Sequence, residues 1–279
     1  RHKALTIDIN ITCRDNSVNP SHVGISPKEM DTLMNKKSGV LDMKPQKRRV
    51  LLDNWKDRTL MRNAVAFGIA KKFQETYPND GIAWNPSGQF VELVYNGVHV
   101  GNYYLCEQIK IDGNRLDIND PYDAEDAYSG NPADYGYLLE ADDGYDETWK
   151  FTTACYVPFL FKDDGNNDML SYASNFVRGI EDNLYKGYNG TASGFTAAYN
   201  NLDLASVVDQ LLIYEMSMNT EFRHPKSVYM YMDGLGKLKA GPVWDFDIAF
   251  DNDSRTHTEL NNPTGYLYSS GTASFAGGN

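Results

Sequence analysis

The sharpest chemical signal in the sequence is Gly241-Pro242-Val243-Trp244-Asp245-Phe246-Asp247. Two carboxylates two residues apart, just after a strand-like run, can reach one cation. Hard oxygen ligands of this kind suit Mg2+ or Mn2+ held together with a nucleotide phosphate. Asp-x-Asp also arises by chance at loop ends, where it caps a helix. The residues ahead of it add weight to the metal reading. Asn219-Thr220-Glu221-Phe222-Arg223-His224 follows a helical stretch, and the hairpin after it delivers Asp245. A carboxylate before a short hairpin and metal-binding carboxylates after it can set a proton acceptor beside a metal-neutralised phosphate. His224 reads as a loop histidine rather than as the base.

Other acidic groups carry weaker signals. Asp142-Asp143-Gly144 and Asp163-Asp164-Gly165-Asn166-Asn167-Asp168 resemble calcium loops, but neither has the spacing or closing Glu of an EF-hand, and both read as solvated turns. Glu140 and Asp142 share one face of a strand and imitate a glycosidase pair, but without independent support they read better as an acidic patch at a sheet edge. The sequence has no Gly-x-Ser-x-Gly elbow, no His-Glu-x-x-His and no Walker A lysine loop. Cys13, Cys106 and Cys155 are widely spaced, which suits buried, inert thiols better than a disulfide framework or a zinc site.

Positioning these groups requires elements on both sides. Residues 4–11 alternate as a strand, and residues 13–48 read as a polar excursion with one short helix near Pro27–Lys36. Val50-Leu51-Leu52 resumes an apolar run. Thr59–Tyr77 is predicted helical, with Met61, Val65, Ile69 and Phe73 as its core stripe and Asp57 serving the exposed amides at its start. Residues 89–95 and 98–105 form a hairpin across Asn96-Gly97, a pair that tolerates positive φ. Residues 119–135 read as a loop and 136–142 as a strand. The chain is then mainly helical until residue 227. Met169, Ala173, Phe176, Ile180 and Leu184 mark one helix. Leu204, Val207, Val208, Leu211 and Leu212 mark another, capped by Asp203. Residues 228–232 and 237–243 are two strands across Asp233-Gly234. The tail after Asn252 is polar and its last residues carry no folding signal.

The whole-chain balance excludes several classes. The 279 residues hold 26 Lys+Arg against 38 Asp+Glu, a net charge of -12. That surface argues against a nucleic-acid binder, and no run approaches the roughly 18–20 apolar residues of a membrane span. At 41% hydrophobic and 13% aromatic, the chain can fill a core. The N-terminal residues Arg1–Asn10 have no signal-peptide apolar segment and read as the middle of a strand. Asn10, Asn189 and Asn252 lie in glycosylation sequons that matter only in a eukaryotic secretory setting.

Taken in order, RTLMRNAVAFGIA, FVELVYNGVHVGNYYLCEQIKIDGNRLDI, GYLLEAD and KLKAGPVWDFDIAF resemble the CotH kinase family, over about Val50 to Phe250. The resemblance implies an α+β, two-lobed atypical protein-kinase-like fold. A small mixed-sheet lobe with one helix would span 1–108, and a larger, mainly helical lobe with the catalytic hairpin 109–279. Together they would make a single domain that continues past both ends of this sequence. It implies ATP-dependent phosphorylation of Ser or Thr in a protein with Ser-rich segments, with Mg2+ or Mn2+, at the surface, outside or in the spore coat of a bacterium. Carried over by position, Asp245 would bind the metal, with Asp247 its second acidic neighbour. Glu221 stands where the family usually has the catalytic-loop Asp, and Ser227 where many members have a metal-assisting Asn. Glu107-Gln108-Ile109 would run beside the adenine. Arg62 and Asn63 match the Leu-Arg-Asn helix motif, with Asn63 opposite the apolar stripe and Arg62 reaching a phosphate or lying on the surface. Lys3 would be a phosphate-binding lysine. Glu221 is one methylene longer than Asp, and Ser227 is shorter than Asn. These departures keep open a non-catalytic relative that binds a nucleotide or partner. A calcium-stabilised cell-surface module is the third reading.

Overall fold

The computed structural model describes residues 10–13, 29–95, 97–120, 129–142, 147–222 and 225–253. The fold is α+β, with two antiparallel sheets and four α-helices among these residues. The first sheet opens with β1 (Asn10–Cys13), β2 (Glu29–Val40) and β3 (Met43–Leu52). After α1 (Arg62–Thr76) it is completed by β4 (Gly88–Tyr95) and β5 (Val98–Glu107), in the order β1-β2-β3-β5-β4. Lys3 and most of the predicted strand over 4–11 lie outside the described residues; Asn10–Cys13 is a strand.

Of the polar excursion predicted over 13–48, the described part from Glu29 onward is a long hairpin, with a strand over Glu29–Val40 where a helix was expected. Val40 pairs with Met43 across a two-residue turn at Leu41 and Asp42, whose φ angles are 49° and 65°. Such a turn matches strand twist, but it lacks the Asn-Gly pair that usually announces it. Polar composition hid β3 as well. Its buried Arg49 donates to the carbonyls of Gln46 and Lys44, so the strand satisfies a charged group within itself. The hairpin of β4 and β5 forms as expected, with Tyr95 opposite Val98.

The second sheet contains β6 (Gly136–Ala141), β7 (Lys150–Thr152) and β8 (Pro158–Phe161). Three helices follow, α2 (Asn167–Tyr188), α3 (Ala192–Asn201) and α4 (Leu204–Ser217), then β9 (Val228–Asp233) and β10 (Lys239–Ala240). The strand order is β10-β9-β6-β8-β7, which makes β6 central, and every residue of β6 is buried. β7 and β8 interrupt the stretch expected to be helical; at three and four residues they are too short to show a period. A continuous core joins Val50, Leu52 and Tyr104 of the first sheet to Phe67 of α1, Leu139 and Met232 of the second sheet, and Val243, Trp244 and Phe246 beyond β10.

The helices differ in how they meet that core. In α2 the expected positions Met169, Ala173 and Ile180 are buried, with Phe176 and Leu184 packed at their margin. The stripes expected for α1 and α4 hold only in part, with Ile69 and Val207 half-buried against the core. α1 buries Asn63, Ala66, Phe67 and Ala70 and leaves Met61 and Val65 exposed. α4 buries Ser206, Asp209, Gln210, Ile213, Tyr214 and Ser217 and leaves Leu204, Val208 and Leu212 exposed. Asp203 does cap α4, accepting from the Ser206 amide at 2.9 Å. Of the thiols, Cys106 is buried as expected, whereas Cys155 is exposed.

Candidate active site

The segment after β10 has no regular structure, so its backbone groups need partners from elsewhere. They find them in buried side chains. The Val243 amide donates to Asn85 Oδ1 at 3.2 Å, and the Trp244 carbonyl accepts from Tyr214 Oη at 3.4 Å. The Asp245 carbonyl accepts from Asn219 Nδ2 at 3.0 Å, and the Phe246 amide donates to Asn63 Oδ1 at 2.7 Å. Farther on, the Asp247 carbonyl accepts from Asn252 Nδ2 at 2.7 Å and the Phe250 amide donates to the Ser217 carbonyl. Phe246 fills the core beside Tyr214, with ring centroids 5.1 Å apart. Trp244 stacks on Phe67 of α1 at 5.5 Å. The segment is held nearly residue by residue.

This clamp leaves Asp245 half-buried with φ at +61°, and Ser227 buried with φ at +53°. Left-handed backbone at non-glycine residues costs free energy and persists where the surroundings enforce it, often at functional sites. Here both side chains converge, with Ser227 Oγ donating to Asp245 Oδ2 at 3.4 Å. Behind them Asp142 Oδ2 accepts from the Ser227 amide at 3.2 Å.

Asp245 and Ser227 line a cleft between the two sheets. Val50, Gln108, Ile109 and Lys110 form one side, and Glu140, Lys162, Asp163 and Tyr229 the other, with Arg48 and Trp244 completing it. Of the residues singled out from sequence for this chemistry, the cleft gathers Asp245, Ser227, Gln108 and Ile109, and it adds Glu140 and Asp163, which the sequence had suggested for other roles. Glu221 is not in its lining but lies nearby, in a short 3₁₀ turn with its amide on Asn219 Oδ1 at 3.0 Å. Asn219 therefore bridges the backbones of Glu221 and Asp245. The buried Tyr214 phenol sits among these groups. Burial, together with the charges of Asp245, Glu221 and Glu140, pushes its pKa far above the ordinary tyrosine value.

Four other expected site residues face elsewhere. Asn63 does not lie opposite the buried face of α1; it is only 4% exposed and ties the Phe246 amide to Asn54. Arg62 pairs with the buried Asp57 and donates to the Phe250 carbonyl, so its guanidinium braces the far end of the clamped segment. Asp57 also accepts from the Thr59 and Arg62 amides. Burial works to raise its pKa, but these hydrogen bonds outweigh that effect and hold it below the usual carboxylate range. Glu107 turns away from the cleft to take the amide and hydroxyl of Ser87. Asp247 is half-buried and is not a lining residue. His224 lies outside the described residues.

The acidic pair Glu140 and Asp142 is not a sheet-edge patch. Glu140 is 2% exposed on the central strand, ion-paired with Lys162, and burial raises its pKa against the opposing pull of that lysine. Asp163, expected in a solvated turn, is turned into the cleft, where burial and the nearby Asp120 push it up to about 6. The rest of that turn is structural: Asn166 caps α2, and Asp164 accepts from the Trp149 indole. A charge inside GYLLEA, an otherwise apolar and fully buried strand, was the signal that could have marked Glu140. Asn219 carried no such sign, because an asparagine at a helix end looks like an ordinary cap.

A family model for CotH kinase protein matches residues 27–274. The chain belongs to the CotH kinase family. No match was found among curated proteins. In this CotH family member Trp244-Asp245-Phe246-Asp247 is the clamped segment itself, and Arg62 and Asn63 supply two of the clamps.

The donors present limit what a cation could find here. Among the described residues no three of the His, Cys, Asp and Glu side chains cluster as a metal cage. One carboxylate, Asp245, with the Ser227 hydroxyl beside it, fits Mg2+ or Mn2+ that takes its remaining oxygens from phosphates and water.

Proposed function

We propose that this CotH family member transfers the γ-phosphoryl group of ATP to a seryl or threonyl hydroxyl of a secreted or coat protein. The observation that carries this reading is the meeting of Asp245 and Ser227, both on strained backbone, in a cleft whose opposite wall is Gln108, Ile109 and Lys110. The two sheets would then face each other as the lobes of a kinase-like fold, with the base against Gln108–Ile109 and the phosphates toward Asp245.

In this mechanism Asp245, with Ser227, would hold Mg2+ or Mn2+ on the phosphates, and Asp247 would add negative charge nearby. When bound, the metal neutralises charge on the transferring group. Glu221 orients the acceptor hydroxyl. The hydroxyl oxygen bonds to the γ-phosphorus as the bond to the β–γ bridging oxygen breaks, ADP leaves, and the hydroxyl proton passes to Glu221 and then to water. Asn219 fixes the relation between the two acids, since it holds the Glu221 amide and the Asp245 carbonyl together.

The test is transfer of radiolabelled phosphate from ATP to a Ser-rich peptide with Mn2+ or Mg2+, alongside thermal stabilisation by nucleotide and metal. Asp245→Ala should abolish transfer. Absence of both transfer and nucleotide-dependent stabilisation in the unaltered protein, with stabilisation by Ca2+ alone, would sink the reading. The longer Glu221 and the shorter Ser227 favour one second reading, a nucleotide-binding relative with weakened transfer. Binding without transfer, with activity raised by Glu221→Asp, would select it.

A further inference from the structure

A polyphosphate needs cations besides a metal, and Arg62, one of the two assigned from sequence, does not line the cleft. Arg62 is engaged with Asp57 and the Phe250 carbonyl; Lys3 lies outside the described residues. Among the described residues the cleft has three cations, Arg48, Lys110 and Lys162. Arg48 is exposed and Lys110 half-buried. Lys162 differs from both. Its side chain is 14% exposed, it pairs with Glu140, and Glu147 lies 3.8 Å away.

That pairing is expensive to build. Glu140 sits on the central strand, and desolvating a carboxylate and an ammonium offsets most of what their attraction returns. Hydrophobic side chains of the same volume would pack the sheet as well. The register shows what the pair is near. Glu140 stands opposite Tyr229, and Ala141 opposite Val228, so Asp142 and Ser227 come next on the face that carries Glu140. Two residues along a strand span about 7 Å, a distance a polyphosphate can bridge from Lys162 to the Ser227–Asp245 end.

Resting on the reading of this cleft as the ATP site, we propose that Lys162 contacts the phosphates of the nucleotide and that Glu140 is the positioning residue that holds its ammonium in the cleft. The pair is thereby a functional device on a strand otherwise given to packing. Lys162 takes the role that position in the sequence had suggested for Arg62.

Calorimetric titration of the full chain with ATP and with adenosine, in the presence of Mg2+, tests the assignment. The unaltered protein should prefer ATP. Lys162→Met should lose about tenfold in ATP affinity, the worth of one charge-assisted contact, while adenosine binds unchanged; Lys162→Arg should recover part of the loss. Because Lys162→Met leaves Glu140 buried without its partner, the double variant Glu140→Leu/Lys162→Met removes both charges and keeps the sheet packed. It should show the same loss of preference for ATP. If the double variant keeps the preference of the unaltered protein, the assignment is overturned and the cleft reading survives. Equal weakening toward both ligands also overturns it, since Lys162 then only shapes the cleft. If the unaltered protein binds neither ligand, the nucleotide reading itself fails and the assignment falls with it.

Discussion

α2 and the pair α1 and α4 reach the same core by opposite rules. α2 turns its apolar side chains inward, and Met169, Ala173, Val177 and Ile180 are buried as an amphipathic helix requires. α1 and α4 also bury apolar side chains, Phe67 and Ile213 among them, but set polar ones beside them and leave other apolar ones outside. Asn63 holds the Phe246 amide, Asp209 the Ile82 amide at 3.0 Å, Gln210 the Tyr229 carbonyl at 3.2 Å and Ser206 the Ala240 amide at 2.9 Å. Gly81 is part of the same fitting, because a side chain there would start 1.9 Å from Asp209 Oδ2. Each of these polar groups satisfies backbone outside the helices. The helices beside the Asp245 segment act as clamps for irregular chain, and α2, away from it, acts as filler.

The largest effect that separates the two roles should come from α2. Ile180→Ala removes a buried side chain, and a loss of about 2–5 kcal/mol in unfolding free energy is expected. Nucleotide affinity, measured on the folded protein, should not change. Next comes α1. Asn63→Leu keeps the volume but strands the Phe246 amide and the Asn54 side chain, at about 1–3 kcal/mol for a buried group left unpaired. Here thermal stabilisation by nucleotide and metal should fall along with stability. Asn63→Asp, which keeps an acceptor for Phe246, should be milder. If Asn63→Leu lowers the melting temperature but leaves the nucleotide response whole, the clamp is only structural.

This contrast also explains what could be read without coordinates. The family, the hairpin of β4 and β5, the capped start of α4 and the stripe of α2 were legible, since each follows from local chemistry. The stripes of α1 and α4 were legible only in part. Hydrophobic periodicity assumes that the buried face is wholly apolar, and near the Asp245 segment it mixes apolar with hydrogen-bonding side chains. Position by family motif found Asp245, Ser227, Gln108 and Ile109 in the cleft. It gave the wrong side of the helix for Asn63, and it assigned phosphate binding to an arginine that is committed to Asp57. Glu140 and Lys162 were missed because their meaning depends on β6 being central, a fact set by long-range pairing of β6 with β8 and β9.

A smaller effect, with a definite pH signature, is expected at the start of α1. The Asp57 carboxyl lies below its ordinary value in the folded protein because the Thr59 and Arg62 groups bond to it, in excess of the opposing effect of burial. Its contribution is therefore complete above the unfolded value near pH 4 and is lost as pH falls through the lower folded value. Asp57→Asn should cost about 1 kcal/mol at pH 7. The difference in melting temperature between the two proteins should shrink steadily below pH 4. A difference that stays constant down to pH 2 would mean that shape, not charge, makes Asp57 a clamp.

The smallest effect is expected on the outer face of α4, and it bears most directly on why that helix breaks the usual rule. Leu204, Val208, Leu212 and Met216 recur every four residues and are 42–58% exposed, so each has already kept much of its contact with water. A charge placed there loses little burial and meets no packed neighbour face among the described residues. Leu212→Lys should change unfolding free energy by no more than about 0.5 kcal/mol, the usual range for a surface substitution. Gln210→Leu, two residues away on the buried face, removes one of two donors to the Tyr229 carbonyl, leaving the Gly241 amide at 2.9 Å, and should cost about 1 kcal/mol although it adds apolar volume. That inversion, a leucine harmful inside and a lysine harmless outside, is the signature of a helix whose interior face is made for hydrogen bonding. If Leu212→Lys proves the more damaging of the two in chemical denaturation, the outer stripe is a packed surface and α4 obeys the same rule as α2.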